Sequence, residues 1–268
     1  MATFPIAKSD LIEGMAKGMA VLESFDTERQ RLNATLAAQR TGLTRAAARR
    51  HLLTLAHLGY LETDGSYFWL APKVLRFSGS YLASARLPRV LQPTLNRLAA
   101  QTQQSFSAVV LDGDEVVIVA RSGVYGAPSR SGVLSAPSRT MAYGLHLGVR
   151  LPAHPTSTGR VLLAALPAAE FTQWLKGCTL QRLTPHTLTQ VGALRKVVAQ
   201  ARRDDFCLAV EEHELGVHAL AVPLRNLQGQ TVAALNVVAS PQQMQAQTLQ
   251  RDMLPLLQEA ARELRGLL

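Results

Sequence analysis

The chain has 268 residues, with 28 Lys plus Arg against 19 Asp plus Glu and a formal net charge of +9. That length holds two domains of ordinary size, each with its own core, and the positive balance points to a polyanionic partner, nucleic acid first. No apolar run reaches the roughly 20 residues of a membrane span, and MATFPIAKSD lacks the apolar region of a signal peptide, so a soluble, cytoplasmic protein with no membrane contact is expected.

Residues 1 to about 13 read as a loose leader. Gly14 to Glu23 follows as a first helix, with Met15, Met19 and Leu22 at helical spacing. Leu32 to Arg40 reads as a second, with Leu32, Leu36 and Ala37 inward and Thr41-Gly42 breaking it. Thr44 then caps a third helix. Its periodicity turns Ala48, His51, Leu52, Leu55 and Leu58 inward and leaves Arg45, Ala46, Arg49, Arg50 and Leu53 on the other side. His51 is read as a packed ring in preference to a pH switch. No acid occurs between Arg29 and Leu61. A face of arginines with small alanines between them can approach a duplex closely and grip its phosphates.

Tyr60 to Leu70 reads as a hairpin turning at Asp64-Gly65, a dipeptide that supplies positive φ. Helix, short helix, glycine turn, long helix and hairpin is the order of a winged helix-turn-helix, placed over residues 1–71. Its expected DNA contacts are Thr44, Arg45, Ala46, Arg49 and Arg50 on the helix and Thr63, Asp64, Gly65 and Ser66 on the wing. Tyr60, Tyr67, Phe68 and Trp69 are expected to pack the hairpin on the helices.

Pro72 to Ala85 reads as a connecting helix with proline in its first turn. Val74, Leu75, Ser78, Leu82 and Ala85 form an apolar stripe that could pair with a second copy. The linker is placed over 72–87 and a second domain over 88–268. There Pro93 to Gln101 is helical, with Leu91, Leu95, Leu98 and Ala99 on one face. Ser107 to Leu111 and Glu115 to Ala120 are strands joined by Asp112-Gly113-Asp114. Helices follow over Arg160 to Leu166, Ala168 to Lys176 and Thr189 to Asp204. Ala219 to Leu224 and Thr231 to Ala239 make a second hairpin, and a last helix from about Met244 is expected to bend or restart at Pro255. Helices alternating with hairpins imply an α/β domain with a largely antiparallel sheet.

Thr156-Ser157-Thr158-Gly159 opens a helix, where free N–H groups and hydroxyls could hold a carboxylate and Gly159 could let a ligand approach the main chain. A plain N-cap would use the same residues, and both readings stand at this point. Glu211-Glu-His-Glu-Leu-Gly-Val-His218 fails as a zinc motif, because His213 and His218 are five apart and separated by Gly216. It reads as a solvated acidic turn, or as a pocket rim in which His218 meets a carboxylate. Arg121 and Arg130 are further cations that could face an acid. There is no nucleophile elbow, phosphate loop or metal-ligand spacing, and no cofactor or metal is expected. Cys178 and Cys207 read as buried small residues of a reduced protein.

Gly42-Leu-Thr-Arg-Ala-Ala-Ala-Arg-Arg-His-Leu-Leu-Thr-Leu55 with Leu58-Gly-Tyr-Leu61 resembles the IclR family of bacterial transcription regulators. The likeness continues through Asp112 to Val117, Thr156 to Leu163, Arg202-Arg203, and Leu215-Gly216 to Asn236. It is closest to the branch answering aromatic acids such as protocatechuate and 4-hydroxybenzoate. The resemblance implies a winged helix-turn-helix, a linker helix used in dimerisation, and a C-terminal effector domain related to GAF and profilin-like sensors. It also implies a palindromic or direct-repeat double-stranded DNA operator bound by a homodimer or a dimer of dimers.

On this resemblance the effector is an aromatic carboxylate of the protocatechuate, 4-hydroxybenzoate or terephthalate class, and the output is activation of a catabolic operon, with no enzyme activity. His154, Thr156, Ser157, Thr158, Gly159, Glu214, Leu215, Gly216, His218 and Asn236 are then the expected ligand contacts. One departure is the long segment between Ala120 and Arg150, with a near repeat at Ala127-Pro-Ser-Arg130 and Ala136-Pro-Ser-Arg139, read as a loop or a lid. The competing readings are an enzyme acting on an aromatic acid and a non-specific nucleic-acid binder.

Overall fold

Asn33 decides where the second helix begins. In the computed structural model, which describes residues 6–26, 29–122 and 146–268, the Asn33 side chain accepts from the Thr35 and Leu36 N–H groups and caps a helix over Ala34–Thr41. Leu32 is thereby left extended. It exchanges two backbone hydrogen bonds with Phe68, at 3.0 and 2.8 Å. The sequence expectation of a helix from Leu32 is corrected: its apolar side chain is buried as expected, but from a bridge to the wing.

The chain divides into two compact units between Ser84 and Ala85, three residues ahead of the expected boundary at 88. The first unit holds α1 (Glu13–Glu23), α2 (Ala34–Thr41), α3 (Arg45–His57), β1 (Leu61–Thr63) and β2 (Phe68–Leu70). A 3-10 turn over Pro72–Val74 leads into α4 (Leu75–Ser84). Its core gathers Val21, Phe25, Leu32, Ala37, Ala48, Leu52, Leu61 and Phe68. On α1 the buried position is Val21, while Met15 and Met19, which share helical spacing, stand exposed. Apolar periodicity alone does not say which stripe faces in. Leu58 is likewise exposed at the C-cap of α3, where the chain leaves the helical path that would have carried it inward. Nothing on α4 is buried, and Leu75, Phe77 and Tyr81 are exposed.

The second unit is built on a six-stranded sheet in the order β5-β4-β3-β8-β7-β6, every neighbouring pair antiparallel. The strands are β3 (Ser105–Asp112), β4 (Glu115–Arg121), β5 (Arg150–Pro152), β6 (Cys207–Val210), β7 (His218–Arg225) and β8 (Thr231–Ala239). Alternation along each strand sends side chains to opposite faces. One face carries Phe106, Leu220 and Leu235 against α5 (Arg86–Thr102) and α9 (Ala246–Leu264). The other carries Val109, Ile118, Ala221 and Ala234 against α6 (Ser157–Ala165), α7 (Ala168–Gly177) and α8 (Val191–Asp204).

Strands β5 and β6 have only three and four residues, too short for an alternating pattern to announce them. The last helix runs through Pro255 as one element, correcting the expected restart. The segment with the Ala-Pro-Ser-Arg repeat, Arg130 included, lies outside the described residues.

Candidate functional site

Two places collect polar chemistry, one in each unit. In the first, Gly42 ends α2 in the left-handed conformation, and Thr44 Oγ1 accepts from the Ala47 N–H at 3.2 Å to start α3. From that start the helix turns Ala48 and Leu52 into the core and leaves Arg45, Ala46, Arg49 and Arg50 exposed. None of these three arginines makes an ion pair among the described residues. His51 is half-buried, with its Nδ1 3.6 Å from where a Cβ on Gly18 would stand; it packs between α3 and α1.

The wing pairs Thr63 with Phe68 and Leu61 with Leu70, and Gly65 turns it at φ +94. Asp64 Oδ1 accepts from the Ser66 and Tyr67 N–H groups, and Arg31 donates to its other oxygen at 2.5 Å. The Tyr67 and Ser66 N–H groups hold the Asp64 carboxyl below its usual range, Arg31 adding to the effect. The Asp64 carboxylate is thus occupied in building the turn, and at the wing tip it would repel a phosphate. The cation there is Arg31, stacked 4.5 Å over the Trp69 ring. Sequence reading missed it because it lies 33 residues before Asp64.

In the second unit a cavity of about 750 Å3, its open mouth included, lies between the sheet and the start of α6. Register explains its floor: Ser107 faces Asn236, Asn236 faces Ala221, and Ala219 faces Val238. This puts Ser107, Val109, Ile118, Ala219, Asn236 and Val238 on the wall formed by the sheet. Thr156, Ser157 and Thr158 contribute the helix start, and Glu212, His213, Glu214 and Val217 the loop between β6 and β7.

Thr156 Oγ1 accepts from the Gly159 N–H at 3.1 Å. Ser157 and Thr158 are the first two helical residues, whose N–H groups have no intrahelical acceptor. The Ser157 hydroxyl, in a residue 1% exposed, has no partner, and neither does Asn236 Oδ1. Buried polar atoms left unpaired are costly, and these two on the cavity wall each lack a partner within the protein.

Behind the wall, Arg160, 1% exposed, donates from both terminal nitrogens to Glu212 at 2.5 Å and from Nε to the His154 carbonyl at 2.8 Å. Burial opposes the charge on Arg160, but the Glu212 carboxylate more than compensates and raises its pKa. The Glu212 carbonyl in turn accepts from Thr187 at 2.6 Å. Burial pushes the neighbouring Cys207 thiol up to about 11, so it stays protonated and unreactive. Burial likewise lowers the His154 and His213 pKa values, with the nearby Arg160 and His154 adding respectively to each, and raises that of Glu214. Among the described residues no group of three His, Cys, Asp or Glu side chains could hold a metal ion.

Residues 14–65 match the model of the IclR helix-turn-helix domain, and residues 79–265 that of the bacterial transcriptional regulator IclR C-terminal domain. The chain belongs to the IclR family. Among its relatives in Acinetobacter baylyi, the Pca operon regulatory protein is 50% identical over 263 residues, 98% of this chain and 91% of that protein. The p-hydroxybenzoate hydroxylase transcriptional activator is 51% identical over 262 residues, 98% and 94% of the two chains. A solved structure, the inducer-binding domain of a PobR double mutant from Acinetobacter in complex with 3-hydroxybenzoic acid, superposes with a TM-score of 0.60 at 46% identity. It covers 68% of this chain and 98% of that one. The IclR family is one of transcriptional regulators, and the enzyme reading of the second unit is set aside.

For this IclR-family chain, Thr156, Ser157, Thr158, Glu214 and Asn236 of the expected ligand contacts line the cavity. The others lie elsewhere. His154 is buried with Nε2 3.0 Å from the Gln181 carbonyl, supporting the helix start from behind. His218 alternates with Ala219 and so falls on the opposite face of the sheet, with Leu220. Leu215 points to solvent, and the Gly216 N–H donates to Glu211 Oε1 at 2.8 Å. A Cβ on Gly159 would lie 2.0 Å from the Ala153 carbonyl oxygen; what this glycine admits is the protein's own backbone, not a ligand. Ser107, Val109, Ile118 and Val238 were missed, because only the strand register brings them together.

Proposed function

We propose that the protein is an effector-responsive regulator of an aromatic-compound catabolic operon, acting as an activator on double-stranded DNA. Arg45, Arg49 and Arg50, with Thr44 and Ala46 at the start of α3, enter the major groove. One arginine reads a guanine edge and the others contact phosphate. The wing, through Thr63, Gly65 and Ser66, approaches the adjacent backbone, with Arg31 as its cation and Asp64 shaping the turn.

The effector is an aromatic carboxylic acid of the protocatechuate, 4-hydroxybenzoate or terephthalate class. Its carboxylate meets the Ser157 and Thr158 N–H groups and the Ser157 hydroxyl, Thr156 fixes the helix start, and the Asn236 amide presents either its oxygen or its NH2. The unpartnered, buried Ser157 hydroxyl on the cavity wall carries this reading, and the functions of the Acinetobacter relatives support it.

Two copies pair through the exposed apolar residues of α4, the working unit being a homodimer or a dimer of dimers. An effector alters transcription by binding two arrangements of such an assembly with different affinity.

The test is a pair of measurements on the full chain, DNase footprinting and calorimetric titration with aromatic acids. Arg49→Ala should lose operator protection and keep the wild-type acid affinity. A normal footprint from Arg49→Ala would overturn the assignment of α3, and binding of an aliphatic acid alone would overturn the effector class.

A further inference from the structure

Two carboxylates line the cavity, and they differ in what they touch. Both Glu212 oxygens are held by Arg160, and one also accepts from the Leu188 N–H at 3.3 Å. Glu214 has no such partner. Its Oε1 is buried without a hydrogen bond, and no ion pair reaches it among the described residues. His213 beside it is half-buried and its low pKa keeps it neutral near pH 7, so it supplies no balancing charge. An acceptor oxygen in this state leaves an unmet demand for a donor.

The same cavity therefore offers donors at one set of groups, the start of α6, and an unmet acceptor at another. A benzoate ring satisfies only the first set. A ring carrying both a carboxylate and a phenolic hydroxyl satisfies both, because the O–H donates to the Glu214 oxygen. A ring with two carboxylates sets its second negative charge against Glu214, and like charges at such range disfavour one another.

We propose that Glu214 is the specificity-determining acceptor of the cavity, selecting hydroxylated aromatic monocarboxylates over both plain benzoate and benzene dicarboxylates. This rests on the effector reading above and narrows it, removing the terephthalate class and naming the residue that reads the second substituent.

Calorimetric titration of the full-length protein with benzoate, 3-hydroxybenzoate, 4-hydroxybenzoate and benzene-1,4-dicarboxylate tests it. The wild type should bind at least one hydroxybenzoate about tenfold or more tighter than benzoate, as a hydrogen bond to a charged group implies, and should not bind the dicarboxylate. Glu214→Ala removes the acceptor and should bring hydroxybenzoate and benzoate to similar affinities. Glu214→Gln keeps an acceptor without the charge, so the hydroxyl preference should persist in part and dicarboxylate binding should appear.

A hydroxyl preference that survives unchanged in Glu214→Ala, with benzoate still bound, overturns the role of Glu214 and leaves the effector reading standing. Dicarboxylate binding by the wild type does the same. If none of the four acids binds, and protocatechuate does not either, both readings fall. Unliganded melting temperatures of the two variants within a degree or two of wild type establish that the loop is intact, and the Gln variant decides the matter if the Ala variant unfolds.

Discussion

On α3 the arginines Arg45, Arg49 and Arg50 stand in solvent without an ion pair among the described residues, whereas Arg160 of α6 is buried with both terminal nitrogens on Glu212. The first set keeps its full charge available to an outside polyanion, at no desolvation cost until that partner arrives. The second has already been desolvated. Its charge is neutralised internally, and what it offers the cavity is position: it ties the start of α6 to the loop carrying Glu212, His213 and Glu214. On the proposed function, the exposed face recognises by charge, and the buried site by the hydrogen-bonding atoms it leaves unmatched.

The comparison breaks most visibly at the buried pair. Glu212→Ala leaves Arg160 charged and unpaired, which should destabilise the second unit by about 3–5 kcal/mol, read as a fall in the denaturant midpoint with unchanged slope. A loss below 1 kcal/mol would mean that water reaches Arg160 and the pair is not structural. Gly159→Ala drives a methyl into the Ala153 carbonyl, and overpacking of this kind costs about 1–3 kcal/mol or more; effector affinity should fall with it, because the helix start must shift.

A smaller effect comes from pH. Burial lowers the pKa values of His154 and His213 below the ordinary value near 6.5, so between that value and their folded ones the unfolded chain binds more protons than the folded chain. These two histidines should therefore leave the stability of the second unit flat between about pH 7 and 8 and make it decline as pH drops below about 6.5. Replacing His154 with Gln should make that decline shallower in a series of thermal melts. Smallest of all, Arg49→Ala should change stability by less than about 0.5 kcal/mol while removing operator protection. A large loss of stability would show that the arginine face is not free.

The exposed face was legible in the sequence because helical periodicity and charge report it directly. Thr44 as cap, Ala48 and Leu52 as core and the arginines as the outer side all follow from a period of 3.6 residues. What failed there was choosing between apolar stripes, as with Met15 and Met19, and seeing past Leu32 to the cap at Asn33. The cavity was legible only where it is local, at Thr156 to Thr158. Ser107, Val109 and Val238 belong to it through antiparallel pairing between strands more than 100 residues apart in the chain. Gly159 was assigned to the ligand for the close approach a glycine allows, and His218 as a partner for a carboxylate. A helix turn and a strand both send adjacent residues in different directions, and here those directions lead to the backbone of Ala153 and to the far face of the sheet.

The contact between Gly159 and Ala153 also divides the cavity into a fixed wall and a movable one. Helix start and strand end meet there backbone to backbone, with no side chain between them that could change rotamer, so α6 cannot slide along β5 to make room for a larger guest. The loop from Glu211 to Val217 is joined differently. The carboxylate grip of Glu212 on Arg160 and the Thr184 and Thr187 hydroxyls on the 211 and 212 carbonyls are side-chain tethers, and a side chain can change rotamer where a backbone contact cannot. On the proposed function, adjustment to the shape of an effector would be taken up on that side, which makes the loop the gauge of what is bound.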